Sequence, residues 1–534
     1  IAMYRVTKRF GLSVTVSSIA GLLYALSPVI WNSVNEGRLG TLVVALLVPT
    51  FLSFNPLNIT SSLSWRKVYG IVLFASLIGA FAPLLLSIWT LIALAVFGKE
   101  FANRIPEIRS EKFVKFVMTK DLALEKRLLA LALLPGAINF PWSASFLLHP
   151  TQILLDTGLP LSGGSAISLF LFNPGGISGL PFWVISPMLI FLLTLIFSNR
   201  FTKVGVICSA LLIFALLFSP LHISGHGSTG KFWSGQILVV IESLIIPRVL
   251  QLASDLLPNL RTSKLGIGHF ASGLISLLTI YSLVFTSAWA VTAGANSALK
   301  SGTPNVIPPF ISSLSDTPAK PKTLVVQKTN DETKYFITRG FDLELGDPDV
   351  TVGTPTEIES AVDGMTSGSG ISASKVLGSY GIQYVYMRNP IDQGLVRTID
   401  GLGGFTRSSA TDSGIVWKVV GSAPRLSIKD NFGNSAQIDA TEIGAQADLQ
   451  TTGTITLAEK YDGKWRILIN GKSIPLTKSS IGEPTFVAQE TGKLYLEHDG
   501  TKRRALISLE AIALLTVLVL ALPAGRRRKE MVEL

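Results

Sequence analysis

Glu36 and Arg38 are the first residues in the chain whose types and spacing could do chemistry. They stand two positions apart in a short polar segment between apolar runs. A carboxylate here could act as a general base that deprotonates an acceptor hydroxyl, and the guanidinium could neutralise a departing phosphate. The alternative is an interfacial ion pair or a helix cap, and the sequence leaves both interpretations open.

The segment from His149 to Gly179 is the second place where chemistry could occur. It carries Asp156, a second candidate base, and His149, a candidate substrate-binding residue, but it contains no Lys or Arg. Irregular backbone near a bilayer is tolerated where it is buried in protein or lines a wet cavity. The segment is therefore either a re-entrant lining for a lipid or saccharide groove or an ordinary loop with Gly/Pro turns.

Glu242 and Arg248 are charged residues inside a long apolar segment. A charge at the bilayer centre costs roughly 2.5–3.5 kcal/mol on insertion scales, so such residues are often functional. Six positions apart, the two side chains do not share one helical face, and a direct pair is not expected. Each residue either faces a cavity or has a structural role, and Arg248 could instead extend to the cytoplasmic boundary.

Metal and nucleotide sites find little support in the sequence. The Asp-x-Asp match at Asp347–Asp349 has no nucleotide-binding βα pattern before it and is interpreted as a turn. Gly225–Lys231 resembles a phosphate loop, but Phe232 replaces the hydroxyl residue that binds magnesium. His222 and His226 are close, yet no third ligand follows at a useful spacing. No metal site is identified, and the use of a divalent ion as cofactor stays open.

The composition indicates that these residues belong to a membrane protein. The chain has 534 residues, of which 48% are hydrophobic and 15% charged, with a mean hydropathy of +0.47. Soluble domains usually carry about 25% charged residues. Between Ser301 and Arg503, 20 Lys and Arg face 23 Asp and Glu, so the positive excess of the whole chain lies among the apolar segments. There it sets membrane orientation, and binding to nucleic acid is not expected.

Apolar segments of about 20 residues predict transmembrane helices. They are Gly11–Ile30, Val68–Phe97, Leu128–Phe146, Leu180–Phe197, Val204–Leu221, Phe232–Leu252, Gly266–Val291 and Ala505–Leu522. Leu39–Phe54 is apolar but short: either it lies along the interface, or it crosses and the segment after it breaks near Pro83. A broken or re-entrant element is expected here. Basic loops such as Lys99–Arg127 are predicted to be cytoplasmic, and the region after Val291 extracytoplasmic.

The region after the linker alternates between apolar and polar residues, which is typical of strands. Strands are predicted at Thr323–Gln327, Lys334–Thr338, Ile382–Met387, Gly414–Val419, Ser427–Lys429, Ala447–Leu449, Thr454–Leu457, Trp465–Ile469, Thr485–Gln489 and Lys493–Glu497. Ile391–Leu402 has helical spacing. Asp462-Gly463 and Asn470-Gly471 predict hairpin turns, because these residues accept positive φ.

The predicted fold is a polytopic α-helical membrane domain of about 8–10 spans with an extracytoplasmic α+β domain and β-sandwich, closed by a C-terminal transmembrane helix. The predicted boundaries are 1–294 for the membrane domain, 295–320 for the linker, 321–423 for the α+β domain, 424–503 for the β-sandwich, 504–524 for the last helix and 525–534 for a basic cytoplasmic tail. Ile1 in place of methionine predicts that the sequence is a piece of a longer polypeptide.

Several strings resemble segments of a known family. Leu457–Pro475 contains an acidic residue, Asp-Gly-Lys-Trp and Asn-Gly-Lys; Gly381–Tyr386 follows Arg339-Gly340 and Leu345-Gly-Asp; Leu23–Pro28 precedes Glu36–Gly40. Together these resemble the membrane and C-terminal parts of the large family-2 glycosyltransferases of actinobacteria. The membrane half is also similar to C-type glycosyltransferases, which depend on polyprenyl phosphate. The nucleotide-sugar domain of the family-2 enzymes is absent from these 534 residues.

The resemblance implies a plasma-membrane glycosyltransferase, or its membrane portion, in cell-envelope glycan assembly. It implies a polyprenyl-phosphate-linked sugar and membrane lipid as partners, together with envelope glycan and a cytosolic nucleotide-sugar transferase domain. Glu36 and Asp156 are then candidate bases, and Arg38 and His149 bind substrate. Trp465 is a candidate glycan-binding aromatic, although a core position in its strand is the alternative. The competing hypothesis is a non-catalytic anchor, scaffold or glycan-translocation module that partners a cytosolic transferase.

Overall fold

The structure combines helices with β-sheets, as the sequence predicts. It is a computed structural model that describes residues 1–54, 59–60, 62–110, 122–148, 150–154, 156, 165–175, 202–225, 228–256, 267–295, 307–329, 332–339, 355–441 and 443–522. The chain divides into two compact units. The first unit comprises Ile1–Ile223, Gly230–Lys300 and Ala505–Leu534, and the second comprises Ser224–Thr229 and Ser301–Arg504.

The first unit is built from apolar helices. They are α1 (Ala2–Arg9), α2 (Val14–Ala25), α3 (Pro28–Asn35), α4 (Leu39–Ser53), α5 (Trp65–Phe81), α6 (Pro83–Ser110), α7 (Ala123–Ile138), α8 (Trp142–Leu148), α9 (Ala166–Phe170), α10 (Thr202–Phe218), α11 (Gly235–Leu256) and α12 (Ile267–Ala295). A 3-10 turn covers Pro150–Leu154, and β1 (His222–Gly225) pairs with β2 (Ser228–Lys231). The last helix of the chain runs from Thr501 to Ala521.

Within the described residues, three helices are long and apolar enough to cross a membrane: Pro83–Pro106, Gly235–Leu252 and Thr501–Ala521. The number rises to five if two bent pairs each count as one span. These pairs are α2 with α3, bent by 42°, and α7 with α8, bent by 96°. Shorter apolar helices cover Leu39–Ser53, Val204–Phe218 and Ser276–Thr292. The predicted span Leu180–Phe197 lies outside the described residues.

The apolar surfaces of these helices differ in burial. Only 6% of the apolar window in Thr501–Ala521 is buried, whereas 78% of the window in Gly235–Leu252 is buried. A soluble monomer rarely exposes contiguous apolar surface of this extent. The contrast therefore indicates one central helix and peripheral helices whose exposed faces need an apolar environment.

The segment predicted as one long span, Val68–Phe97, is two helices. Helix α5 ends at Phe81 and α6 begins at Pro83, with Ala82 between them at φ −139° and ψ 74°. Proline restricts the preceding residue to extended backbone and removes an N–H donor, so a helix does not continue through this position smoothly. The break at Ala82 is the one expected near Pro83, and Leu39–Ser53 forms a complete helix, α4.

The second unit begins with an α+β layer. Strands β3 (Lys322–Thr329), β4 (Glu332–Thr338), β5 (Ile382–Arg388), β6 (Phe405–Thr411) and β7 (Gly414–Val419) form a sheet in the order β4-β3-β5-β7-β6. Strands β3 and β5 are parallel, and the other neighbours are antiparallel. Helices α13 (Pro309–Ser312), α14 (Thr356–Ser367), α15 (Ala373–Ser379) and α16 (Gln393–Gly401) complete this layer, with a 3-10 turn at Ser313–Asp316. Its core forms around the buried Trp417.

A β-sandwich follows in the second unit. One sheet has the order β10-β16-β12-β13 and the other β14-β15-β11-β8-β9. The strands are β8 (Leu426–Asp430), β9 (Ser435–Ile438), β10 (Gly444–Leu449), β11 (Gly453–Leu457), β12 (Trp465–Ile469), β13 (Lys472–Ile474), β14 (Thr477–Lys478), β15 (Pro484–Ala488) and β16 (Gly492–His498). Alternate residues of β12 point inward, which buries Trp465, Ile467 and Ile469 in the core.

The two predicted hairpin turns have different outcomes. Asn470 and Gly471 have φ angles of +49° and +80° and join the antiparallel strands β12 and β13, as expected of Asn-Gly. The prediction for Asp462-Gly463 is wrong, because β11 and β12 belong to different sheets. Asp462 instead accepts a hydrogen bond from the backbone N–H of Lys464, at 3.1 Å, in the crossing between the sheets.

Glu459 joins the sandwich to the α+β layer through three cations. Its carboxylate contacts Lys322 Nζ at 2.8 Å, Arg425 Nη1 at 2.9 Å, and the guanidinium of Arg339. Burial alone would raise the pKa of Glu459, but the charges of Lys322 and Arg339 outweigh it and hold that pKa below its usual value. The pKa of Lys322 is also lowered, because its burial outweighs the attraction of the carboxylate.

We expect Glu459→Gln to destabilise the second unit by about 3 kcal/mol, because it leaves three clustered cations without an anion. Since the pKa of Glu459 is lowered on folding, its contribution is complete above the ordinary Glu pKa of about 4.3 and is lost as the pH falls through the folded-state value. Hydrogen exchange of peptides from β11 and β12 in the full chain measures this loss.

The control for this prediction is Glu490→Gln, in the same sandwich. Glu490 pairs with Lys472 at 3.1 Å, and both side chains are exposed, so the change is expected to cost less than about 1 kcal/mol. Equal exchange in the two variants would contradict the role assigned to Glu459.

Candidate functional site

Glu36 and Arg38 form a buried ion pair at the turn between α3 and α4. Gly37 has φ +66°, a left-handed conformation that favours glycine, and it reverses the chain between the two charged residues. Arg38 Nε lies 3.8 Å from Glu36 Oε2, and the two residues are 5% and 1% exposed. Arg38 is the residue before α4, but its side chain makes no capping hydrogen bond. The ion pair is therefore present and the side-chain helix cap is not.

Asp156, 118 positions from Arg38, joins this pair. Arg38 Nη1 donates to the backbone carbonyl of Asp156 at 3.2 Å. The Thr41 hydroxyl, in the first turn of α4, donates to Asp156 Oδ2 at 2.6 Å. Both carboxylates interact electrostatically with Arg38. The structure thus brings together three residues that the sequence singled out separately.

Trp233 supports this cluster from the start of α11. Its indole ring lies under the guanidinium of Arg38, with 4.3 Å from Cζ to the ring centroid, and its N–H donates to Thr41 Oγ1 at 2.9 Å. A cation over an indole face is stabilised by the ring quadrupole. Sequence analysis did not single out Thr41 or Trp233 as site residues; the position of Trp233 beside Gly235 at a helix start is the signal that was available.

Gly40 lets the two helix starts approach Asp156. A Cβ atom at this position would overlap Asp156 Oδ1 and would lie 2.6 Å from the carbonyl oxygen of Phe81 and 3.3 Å from Gln236 Nε2. The side chains of Asn35, Ser234 and Gln236 are also buried. The carboxylate of Asp156 therefore lies among polar groups at the amino ends of α4 and α11, where the helix dipoles favour negative charge.

The cluster of Glu36, Arg38, Thr41, Asp156 and Trp233 (hereafter the Asp156 cluster) has one cation and two carboxylates. Because Glu36 is almost completely buried, it is placed to hold Arg38. Asp156 is less buried than Glu36 as a residue, although its Oδ1 atom is itself buried. A half-buried carboxylate that accepts a hydroxyl hydrogen bond is suited to remove a proton from a bound hydroxyl group.

The other residues that the sequence proposed lie apart from this cluster or outside the description. His149 and Asp347–Asp349 lie outside the described residues. Glu242 is fully buried in α11 and faces the Ser27 hydroxyl, whereas the guanidinium of Arg248 lies 4.7 Å from the ring centroid of Phe10. The structure thus places these two charges against different groups.

Trp465 is 7% exposed and its ring contacts the His498 ring at 4.7 Å within the sandwich. This is the core position that the sequence gave as the alternative to glycan binding, because the face of a buried indole cannot stack on an external sugar. Within the described ranges, no three His, Cys, Asp or Glu side chains are grouped to hold a metal ion.

We expect Gly40→Ala to destabilise the first unit by about 1–3 kcal/mol, because the added methyl group must displace Asp156 or the Phe81 carbonyl. The matched control is Gly70→Ala in α5, where a Cβ atom would meet nothing within 4 Å. That change should stabilise a helix interior by roughly 0.5–1 kcal/mol. Thermal unfolding of both variants in detergent tests the contrast, and two equal midpoints would refute the tight packing at Gly40.

Comparison with known proteins identifies no relative. No family model matches the chain, and no curated protein or solved structure is significantly similar to it. The geometry of the Asp156 cluster is therefore the ground on which a function can be proposed.

Proposed function

We propose that the chain is an integral membrane glycosyltransferase, or the membrane portion of one, in cell-envelope glycan assembly. It would transfer a sugar from a polyprenyl-phosphate carrier to a hydroxyl acceptor at the outer face of the plasma membrane. The single observation that carries this proposal is the convergence of Asp156, Arg38 and Glu36 inside an apolar helical unit. The sequence resemblance to actinobacterial family-2 and C-type glycosyltransferases supports the substrate class.

The proposed chemistry assigns a different task to each charged group. Asp156 removes the proton of the acceptor hydroxyl while the acceptor oxygen bonds to the anomeric carbon. The bond from that carbon to the phosphate oxygen breaks, and polyprenyl phosphate leaves. Arg38, held by Glu36 and Trp233, provides the positive charge nearest to the base, and a guanidinium matches the geometry of a phosphate group.

A multi-pass arrangement is part of the same proposal. The three long apolar helices, and the weak burial of Thr501–Ala521 in particular, support insertion in a bilayer. The basic Lys99–Arg127 segment supports a cytoplasmic position for that segment, and under this proposal the second unit and its glycan partner lie outside the cell. The basic end of the chain, beyond the described residues, would then be cytoplasmic.

A second function is favoured by one observation. Glu36 and Arg38 are almost fully buried and contact protein groups, as a structural ion pair would. Such a structural ion pair is all that the second function requires. That function is a non-catalytic anchor, scaffold or translocation module that partners a cytosolic nucleotide-sugar transferase. The two functions differ in whether Asp156 is required for sugar transfer.

We expect Asp156→Asn to reduce sugar transfer by about 10²–10⁴-fold, because it removes the proton acceptor. Glu36→Gln is expected to reduce transfer by about tenfold or more, through misplacement of Arg38. The measurement is transfer of labelled sugar from a polyprenyl-phosphate donor by purified protein in vesicles. The matched control is Asp448→Asn, an exposed strand residue of the second unit, which should leave transfer unchanged.

Wild-type transfer by the Asp156→Asn variant would remove Asp156 as the base. No transfer by the wild-type chain, with export of glycan dependent on it, would favour the scaffold function. The first outcome would therefore remove the assigned base, and the second would remove the transferase function.

The proposed sidedness is testable because Cys208 is the one cysteine of the chain. In a Cys208→Ser background, Ser369→Cys in the second unit should react with an impermeant thiol reagent on intact cells, since Ser369 is exposed. Lys126→Cys, at the end of the basic segment Lys99–Arg127, should react only after the cells are permeabilised, since Lys126 is exposed. The reverse pattern would invert the topology and eliminate the outer-face site.

A further inference from the structure

Trp233, Thr41 and Asp156 form a chain of hydrogen bonds whose direction is set by chemistry. An indole N–H can only donate, so the bond of 2.9 Å between Trp233 Nε1 and Thr41 Oγ1 makes the hydroxyl oxygen the acceptor. The hydroxyl has a single proton, and Asp156 Oδ2 lies 2.6 Å away on its other side. Since Thr41 has one hydrogen to donate, that hydrogen points to the carboxylate oxygen.

We propose that Trp233 and Thr41 are positioning residues that hold Asp156 in its ionised, proton-accepting form. A hydrogen bond donated to Oδ2 stabilises the carboxylate over the protonated acid. Trp233 donates to one of the two lone pairs of Thr41 Oγ1 and polarises the hydroxyl, which strengthens the bond that it donates to Asp156 Oδ2. The catalytic meaning of this relay rests on the proposed role of Asp156 as base.

The surroundings of Asp156 agree with this assignment. The charged group that contacts it is Arg38, which donates to its backbone carbonyl at 3.2 Å and also pairs with Glu36. Helix α11 and the residues before it contribute two neutral groups near Asp156, the Gln236 amide and the Trp233 indole. The same Trp233 ring supports Arg38 from below, so one residue orients both the base and the cation next to it.

The test measures the protonation of Asp156 without any sugar donor. Dicyclohexylcarbodiimide reacts with the protonated form of carboxyl groups, and mass spectrometry of the Asp156 peptide gives the rate. At neutral pH we expect Thr41→Val to raise this rate about tenfold, because it removes a hydrogen bond to a charged group. Trp233→Phe should raise it less, because the hydroxyl remains but is no longer oriented, and Thr41→Ser should restore the wild-type rate.

A second measurement at acidic pH separates the effect of a variant on reagent access to Asp156 from its effect on the protonation of Asp156. There the carboxyl group is protonated in every variant, so the rates should converge if the relay acts on protonation. Any one of three results would overturn the relay. The first is a difference in labelling rate that persists in acid, and the second is a rise in rate for Thr41→Ser equal to that for Thr41→Val. The third is an unchanged rate in both Thr41→Val and Trp233→Phe.

Sugar transfer by the same variants distinguishes the relay from the function on which it rests. If the labelling order holds but the wild-type chain transfers no sugar, the relay stands and the proposed transferase activity fails. If the wild type transfers sugar and the labelling order is absent, the activity stands and the relay fails. With both correct, Thr41→Val lowers kcat more than it raises KM, and Thr41→Ser recovers kcat.

Discussion

Polar side chains enclosed by apolar helices must satisfy one another, and this constraint organises the first unit. No water is available in such an interior, so an unpaired charge or hydrogen-bonding group costs several kcal/mol. Arg38 therefore has a carboxylate on one side, an indole ring on the other and a backbone carbonyl at 3.2 Å. Asn32 likewise donates to the side chain of Asn173 at 2.7 Å. These bonds hold Asn173 against α3 and Asp156 against the start of α4.

Charged side chains in the second unit also pair with one another, but the signs of the charges are reversed. Glu459 is one carboxylate among three cations, while the Asp156 cluster has two carboxylates around one cation. In the second unit the cations stabilise the ionised form of Glu459, and this residue connects the two layers. In the first unit the surplus carboxylate is the half-buried Asp156. A surplus carboxylate with only a structural role would cost free energy in this interior, whereas a general base requires such a carboxylate.

The local pattern of apolar and polar residues predicted those strands whose burial it directly reflects. Gly414–Val419 and Trp465–Ile469 are strands with the predicted bounds, since the first is buried except at Lys418 and the second is buried at alternate residues. The edge strand Phe405–Thr411 was not predicted, because six of its seven residues escape full burial and carry no alternation. Helix Thr356–Ser367 was missed although Ile358, Ala361, Val362 and Met365 have helical spacing. The Asp462-Gly463 hairpin failed for a different reason: whether the next strand pairs with its predecessor or crosses to the facing sheet is decided by the whole sandwich.

In the candidate site, too, some residues could be recognised from their type alone, whereas others are recognised only from the packing. Charged residues in apolar sequence are conspicuous because they are costly to bury, so Glu36, Arg38 and Asp156 could be found from the sequence. Thr41 and Trp233 could not, since a threonine and a tryptophan at helix starts are ordinary. The assignment of tasks also depends on packing. The chain buries Glu36 behind Arg38 and leaves Asp156 half-buried against the Thr41 hydroxyl, so that in the proposed transferase two carboxylates of equal intrinsic chemistry serve as a support and a base.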